Sequence, residues 1–295
     1  MNIPIWHYAL SMAGYIAFLL LLIDVMRKYP RIAFALWMAA LLSFPLWDQV
    51  EGWFRWSKII SVLVPTAIIV GGARIAWYYR GNTHPLMRTF RGSWVLYVLY
   101  GVLFLNIAEA TLKDLTTGNY FNAICGMILC ATIPLPLYKN KIQQYWVISK
   151  DRPNELLFYS TASWNFLYTT WNMCFVYGES PAFFASSFCI LMAAELYPVL
   201  KKRPELYMIA RVYSLALHVL VRGIHDVFTP VMNSEPWFNE NTLMIWGGIN
   251  LALHIPFAIW YLRKQHKTKT PPYGVNPPPH RADCVNEFDQ KNEQI

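Results

Sequence analysis

Long apolar runs separated by short polar, proline- and glycine-rich breaks set the pattern of this chain. The runs reach about 17 to 23 residues, which as helix at roughly 1.5 Å per residue is enough to cross a hydrocarbon layer of about 30 Å. Breaking the chain at its punctuation predicts about nine spans. They cover residues 5–26, 32–47, 59–79, 93–112, 120–138, 156–177, 181–199, 207–228 and 241–262, the second being short enough that eight is also possible. The expected fold class is therefore all-α: a polytopic transmembrane helix bundle over residues 1–262. Residues 263–295, rich in Lys, Pro, Asn and Asp, read as a disordered cytoplasmic tail.

Basic residues fix the expected orientation, because short cytoplasmic loops collect Lys and Arg. Alternate loops hold Arg27, Lys28 and Arg31; Arg80, Arg88 and Arg91; Lys139, Lys141, Lys150 and Arg152; Lys201, Lys202 and Arg203; and Arg263, Lys264, Lys267 and Lys269. The other side has only Arg55, Lys58 and Lys113. An odd span count with the N-terminus outside or lumenal and the C-terminus cytoplasmic reproduces this bias. The first run has no basic residue before it and no small-residue cleavage motif after it, so it reads as a span and not as a removable signal peptide.

Composition agrees with the pattern. Of 295 residues 56% are hydrophobic and 14% charged, against roughly 25% charged in soluble domains. The net charge of +8 is an orientation signal, so the expected partners are a lipid bilayer and no nucleic acid. Cys125, Cys130, Cys174 and Cys189 lie within apolar runs and read as small buried hydrophobes, not as a disulfide framework.

Ionisable groups in hydrocarbon cost at least about 2.5 to 3.5 kcal/mol, so each needs a partner or a task. Near the inner face lie Asp24, Arg74, Glu195 and Arg211, which read as mutual ion pairs with snorkelling cations. In the outer half lie Asn106, Glu109, Asn122, Asn165, Asn172, His218, Arg222, His225 and Asp226, with Asp48, Glu51, Asp114 and Glu179 just beyond. Several spans offering polar groups at one depth suggest a cavity near the outer surface.

Helix spacing says which of these can cooperate. Asn106 and Glu109 share a face, Arg222 and Asp226 are spaced to pair, and His218, Arg222 and His225 form one stripe. His218 and His225 are separated by roughly 10 Å of rise, too far for one metal ion, and no metal site is expected. Glu109, set among Leu103, Phe104, Leu105, Ile107 and Ala108, is expected to be protonated and able to act as a general acid; a Glu satisfied by Asn106 and a Trp N–H is the alternative. Trp164, Tyr168, Trp171 and Phe175 recur at helical spacing as an aromatic stripe, with Asn165 and Asn172 on the neighbouring face. The stripe reads either as packing or as ring faces that stabilise a cation in a dry pocket.

The blocks Trp53-Phe54-Arg55-Trp56-Ser57-Lys58, Asn106-Ile107-Ala108-Glu109-Ala110 with Asp114, Asn122 with Gly126, and Trp164-Asn165-Phe166-Leu167-Tyr168 resemble the signature blocks of a family of uncharacterised multi-pass membrane proteins of unknown function. Asn106-Ile107-Ala108-Glu109 together with the aromatic content is also similar to the integral-membrane terpene cyclases of fungal meroterpenoid pathways. The Trp-Glu pair typical of those cyclases is absent, the chain is longer, and about nine spans exceed their usual seven.

That second resemblance implies a membrane terpene cyclase, of isomerase or lyase type and without cofactor, acting on a prenylated, epoxidised lipophilic small molecule in secondary metabolism. Glu109, with Asp226 or Asp114, would start the cyclisation, His225 or a carboxylate would take the final proton, and Trp164, Tyr168 and Trp171 would shield the carbocation. Asn106, Asn122, Asn165, Asn172, His218 and Arg222 would complete the substrate site. In a eukaryote the expected location is the endoplasmic reticulum. A proton-coupled transporter using Glu109, His218 and His225, and a metal-dependent lipid hydrolase, are the competing expectations.

Overall fold

A computed structural model describes residues 3–138 and 142–280 of the chain, Phe54 by its backbone alone. The described residues form a mostly helical bundle. Helix α1 (Ile5–Lys28) turns at Pro30 into α2 (Pro30–Leu42); α3 (Gly52–Val64) continues through a π-helical stretch, Pro65–Gly71, into α4 (Gly72–Tyr78). The short α5 (Pro85–Phe90) leads to α6 (Trp94–Thr116) and α7 (Tyr120–Thr132). Two small antiparallel hairpins follow, β1 (Leu137–Tyr138) with β2 (Gln143–Gln144), and β3 (Trp146–Ile148) with β4 (Leu156–Phe158). The chain then continues as α8 (Ala162–Glu179), α9 (Phe184–Lys201), α10 (Tyr207–Ile224), the single turn α11 (Thr229–Met232) and α12 (Glu240–Thr268).

Among the described residues six helices are long and apolar enough to cross a membrane: Ile5–Lys28, Arg55–Tyr78, Trp94–Thr116, Pro181–Lys201, Pro204–Ile224 and Glu240–Thr268. The other three predicted spans take different forms. Residues 32–47 and 120–138 contribute the 13-residue helices α2 and α7. α7 stops where Pro134 and Pro136 remove the amide donors a further turn would need. The run 156–177 begins as strand β4 and becomes helical only after Thr161, whose hydroxyl caps Trp164 N at 3.0 Å. α8 is buried between α7, α9 and α12 and carries more polar groups than its neighbours, which is why it falls outside the six.

One end of the bundle gathers the N-terminus and the loops after α2, α8 and α10. Tyr8 Oη donates to Asn233 O, Gln49 N to Gly223 O at 3.0 Å, Ser234 N to Ala182 O at 3.2 Å and Tyr177 Oη to Trp237 O at 2.6 Å. The opposite end, closed by the hairpins, is organised by Arg74, which is 1% exposed. A helix leaves its last carbonyls without intrahelical partners. Arg74 donates to two of those on α1, Met26 O at 2.8 Å and Arg27 O, to Asn154 O at 2.8 Å and Pro153 O at 3.1 Å in the β3–β4 turn, and to Tyr213 Oη.

The inner charges are therefore not mutually paired as expected. Asp24 pairs with Lys28 at 2.6 Å and Lys201 at 3.0 Å, Glu155 bridges Arg27 and Arg203, and Glu195 accepts from Thr169 Oγ1 at 2.9 Å. Their partners lie at the ends of α1 and α9, on α8, and in the β3–β4 turn and the loop after α9.

The tail also departs from expectation. α12 continues through Arg263 to Thr268, and the segment behind it is strapped across the hairpin end, its carbonyls and amides matched to fixed partners. Tyr145 Oη donates to Pro271 O at 2.7 Å, Gly274 N to Ser160 O at 3.1 Å, Gln144 N to Pro279 O at 3.1 Å, and Asn276 Nδ2 to Glu205 Oε1 at 3.2 Å. Expected disorder thus fails for residues 263–280. Residues 281–295, like Lys139 and Lys141, lie outside the described residues.

Gly126 on α7 sets how closely three helices approach. A Cβ there would fall 2.0 Å from Thr111 Oγ1 on α6 and 3.1 Å from the Trp171 ring on α8. Gly126→Ala is expected to cost about 1 to 3 kcal/mol, the usual range for overpacking. Thermal unfolding in detergent should show a lowered Tm, partly recovered by adding Thr111→Ala.

Candidate functional site

A cavity of about 380 Å³ runs down the bundle between α3 with its π segment, α6, α8, α9 and α10. Its rim at the N-terminal end carries Arg55, Lys58, Glu179, Arg222 and Asp226, and its floor at the hairpin end is made by Trp146 and Leu156. The π segment helps to open it. Pro65 has no amide hydrogen and its ring clashes with the carbonyl four residues back, so the ladder widens by one residue. Pro65, Thr66 and Val70 all line the space. Between rim and floor the wall is apolar, with Val62, Leu103, Phe175, Ile190 and Leu215 among its members.

α10 supplies the polar groups at three depths. Arg222 lies at the rim with its guanidinium 3.7 Å from the centroid of Phe183. His218, 2% exposed, sits midway between Tyr15 Oη at 3.5 Å from Nδ1 and Ser187 Oγ at 3.4 Å from Nε2. Arg211 lies deepest, 5% exposed, with no hydrogen-bond partner for Nε or Nη1.

The sequence-predicted residues divide into those that reach this cavity and those that do not. Asn106, Tyr168, Asn172, His218, Arg222 and Asp226 line it. Glu109 does not: its Oε2 lies 3.1 Å from Lys58 Nζ, which also donates to Asn106 Oδ1 at 3.2 Å. The amide and the carboxylate thus share an ammonium instead of bonding each other. Lys58 was read as a loop residue, but α3 begins earlier than the apolar run and brings it over α6.

Asp114 and Asn122 belong to a separate polar seam. Asp114, 3% exposed, accepts from Asn122 Nδ2 at 2.7 Å and Asn119 Nδ2 at 3.1 Å; Asn122 then accepts from Asn250 Nδ2 at 3.3 Å and from Trp171 Nε1 through its carbonyl at 3.0 Å. This closed network ties α6, α7, α8 and α12 together.

Trp164, Tyr168, Trp171 and Phe175 do stack in sequence, with centroids 5.3, 5.8 and 6.3 Å apart, yet only Tyr168 and Phe175 face the cavity. Trp164 Nε1 is satisfied by Thr132 Oγ1 at 3.2 Å, and Asn165 takes Ser160 Oγ at 2.6 Å, so both hold the base of α8.

Helix α10 ends at Ile224, which undoes the expected stripe through His225 and the expected Arg222–Asp226 pair. His225 is the extended C-cap residue and is exposed. Asp226 instead caps the next turn, accepting from Thr229 N at 3.1 Å and from the Thr229 hydroxyl. Partial burial would raise its pKa, but these bonds, the Phe228 amide and the nearby Arg222 outweigh that and hold the carboxyl below its usual range. Asp226 is therefore a poor proton donor near neutral pH.

Sequence reasoning placed Lys58 and Glu179 in the outer loops and not in the site, did not single out Ser187, and assigned Arg211 to structural pairing. One signal for Arg211 was present: it precedes His218 by seven residues and so continues the same helical stripe. Among the described residues no group of three or more His, Cys, Asp or Glu could hold a metal ion. No family model, curated protein or solved structure matches this chain.

The Lys58–Glu109 contact is half-open to solvent, so its coupling should be modest, about 0.2 to 1 kcal/mol. A double-mutant cycle with Lys58→Met and Glu109→Gln, read by thermal unfolding, should return a favourable coupling of that size. A coupling indistinguishable from zero would separate the two groups.

Proposed function

We propose that this protein takes a lipophilic small molecule from the membrane into the central cavity, where an apolar body lies along α6, α9 and α10 and polar groups at each end orient it. The observation that carries this reading is the cavity itself: at about 380 Å³ it lies within the roughly 300 to 1,000 Å³ of small-molecule pockets, and it combines an apolar wall with few polar points. The six long apolar helices support a bilayer environment, from which such a molecule could enter. The N-terminal end then faces outside or the lumen and the hairpin end the cytoplasm, a placement supported by Arg27, Lys28, Arg31, Lys201, Lys202 and Arg203 at the latter. In a eukaryote the protein would be a multi-pass component of the endoplasmic reticulum.

Filling the cavity should block binding. Purified protein in neutral detergent should gain thermal stability saturably with farnesol as the probe, and Leu215→Trp should lose that gain while still folding. Equal stabilisation of both proteins would overturn the assignment of the cavity.

A second reading makes the protein the cyclase that the resemblance implies, and one observation favours it: Tyr168 and Phe175 turn ring surface towards the same space as Glu179, a rim carboxyl. With Glu109 paired to Lys58 and Asp226 held ionised, the initiating acid is proposed to be Glu179. Microsomes given an epoxidised farnesylated phenol should then lose cyclisation with Glu179→Gln and keep at least half of it with Glu109→Gln. The opposite pattern would return the role to Glu109.

A further inference from the structure

The deep end of the cavity holds a cation, Arg211, that makes no ion pair with a carboxylate among the described residues. Arg211 is 5% exposed, lines the cavity, and has neither an acceptor for Nε or Nη1 nor, among the described residues, a carboxylate within 4.0 Å. Glu195, another inner carboxylate, accepts from Thr169 Oγ1 at 2.9 Å. Buried guanidinium groups elsewhere in the bundle are not left this way: Arg74 has an acceptor at each of its three nitrogens. A charge in a medium of low dielectric constant is costly unless it is paired and hydrogen-bonded. Arg211 lines an empty space large enough for a ligand, so its missing partner is most simply supplied by what enters that space.

We propose that Arg211 is the head-group site of the cavity and that it binds the carboxylate of a lipophilic monocarboxylic acid, whose apolar chain runs up the wall towards the rim. This rests on the cavity being a lipophile site, and it names the substrate class. A single negative charge is specified because a single cation is present. Arg222, the next cation on α10, is eleven residues and roughly 16 Å of helical rise away, so a dianionic phosphate at the floor would carry an unmatched charge. A neutral alcohol or ester would leave the guanidinium charge itself unpaired. The chain has room above the head: Leu191, Leu215 and Phe175 supply apolar wall along the cavity.

The test compares two probes that share one apolar body, farnesoic acid and farnesol, titrated into the purified full-length protein in neutral detergent at pH 7.5 and read by the rise in Tm and by displacement of radiolabelled farnesoic acid. Wild type should bind the acid at least tenfold more tightly than the alcohol. Arg211→Met should erase that preference by weakening the acid to the level of the alcohol, while its own unliganded Tm stays equal to or above wild type, because an unpaired buried charge has been removed. Arg211→Lys should retain part of the preference. If farnesol binds and the acid binds no better, or if Arg211→Met keeps the preference, the head-group assignment is overturned with the cavity reading intact. If neither probe binds saturably, the cavity reading fails first. A large drop in the unliganded Tm of Arg211→Met would show that the guanidinium is satisfied within the protein, and would also overturn the proposal.

Discussion

A helical bundle in an apolar medium has no water to satisfy a buried donor, so each buried cation must find acceptors within the protein or in a ligand. Two arginines show the two outcomes. Arg74 ties the frayed carbonyl end of α1 to the β3–β4 turn and to α10, and that arrangement fixes the hairpin end of the molecule. Arg211, on the same α10, is buried almost as completely and has donors left over. The first explains why the bundle closes at one end, and the second leaves a cation at the deep end of the cavity.

The cavity follows from the same constraint applied to the backbone. Pro65 cannot complete an α-helical ladder, and its neighbourhood adopts the wider π register, with Thr66 returning its hydroxyl to Val62 O at 2.7 Å. Opposite it, α8 presents Tyr168, Asn172 and Phe175, while Trp164 and Trp171 turn away to satisfy their indole N–H groups on α7. The amide seam around Asp114 and Asn122 holds α7 and α12 against α6 and α8, so the wall is rigid where the ligand would lie. Glu109 does not line the cavity but pairs with Lys58 at its rim.

Much of the architecture was legible in the hydropathy pattern: each of the six long apolar helices covers most of a predicted run, and basic residues gather at one end. The aromatic stripe of α8 also formed as its spacing predicts. What pattern reading could not supply were long-range partners. Nothing local to Glu109 reveals that Lys58, 51 residues earlier, will lie against it. The end of α10 at Ile224 was hidden because the polar run after it, His225 and Asp226, continues helical spacing without a strong breaker. The tail was misread because proline-rich composition describes a chain alone, while here its carbonyls meet Tyr145 and Gln144 on the hairpins. Arg211 was set aside for a related reason, since pairing among inner charges is the ordinary outcome and only the three-dimensional arrangement shows Nε and Nη1 without a partner among the described residues.

The most direct measurement is a cryo-electron microscopy map of the protein in lipid nanodiscs, at a resolution that separates side chains along α10. The account predicts elongated density in the cavity with its compact end within hydrogen-bonding distance of the Arg211 guanidinium. A cavity closed by side chains, or Arg211 swung onto Glu195 or a backbone carbonyl with nothing beside it, would contradict it.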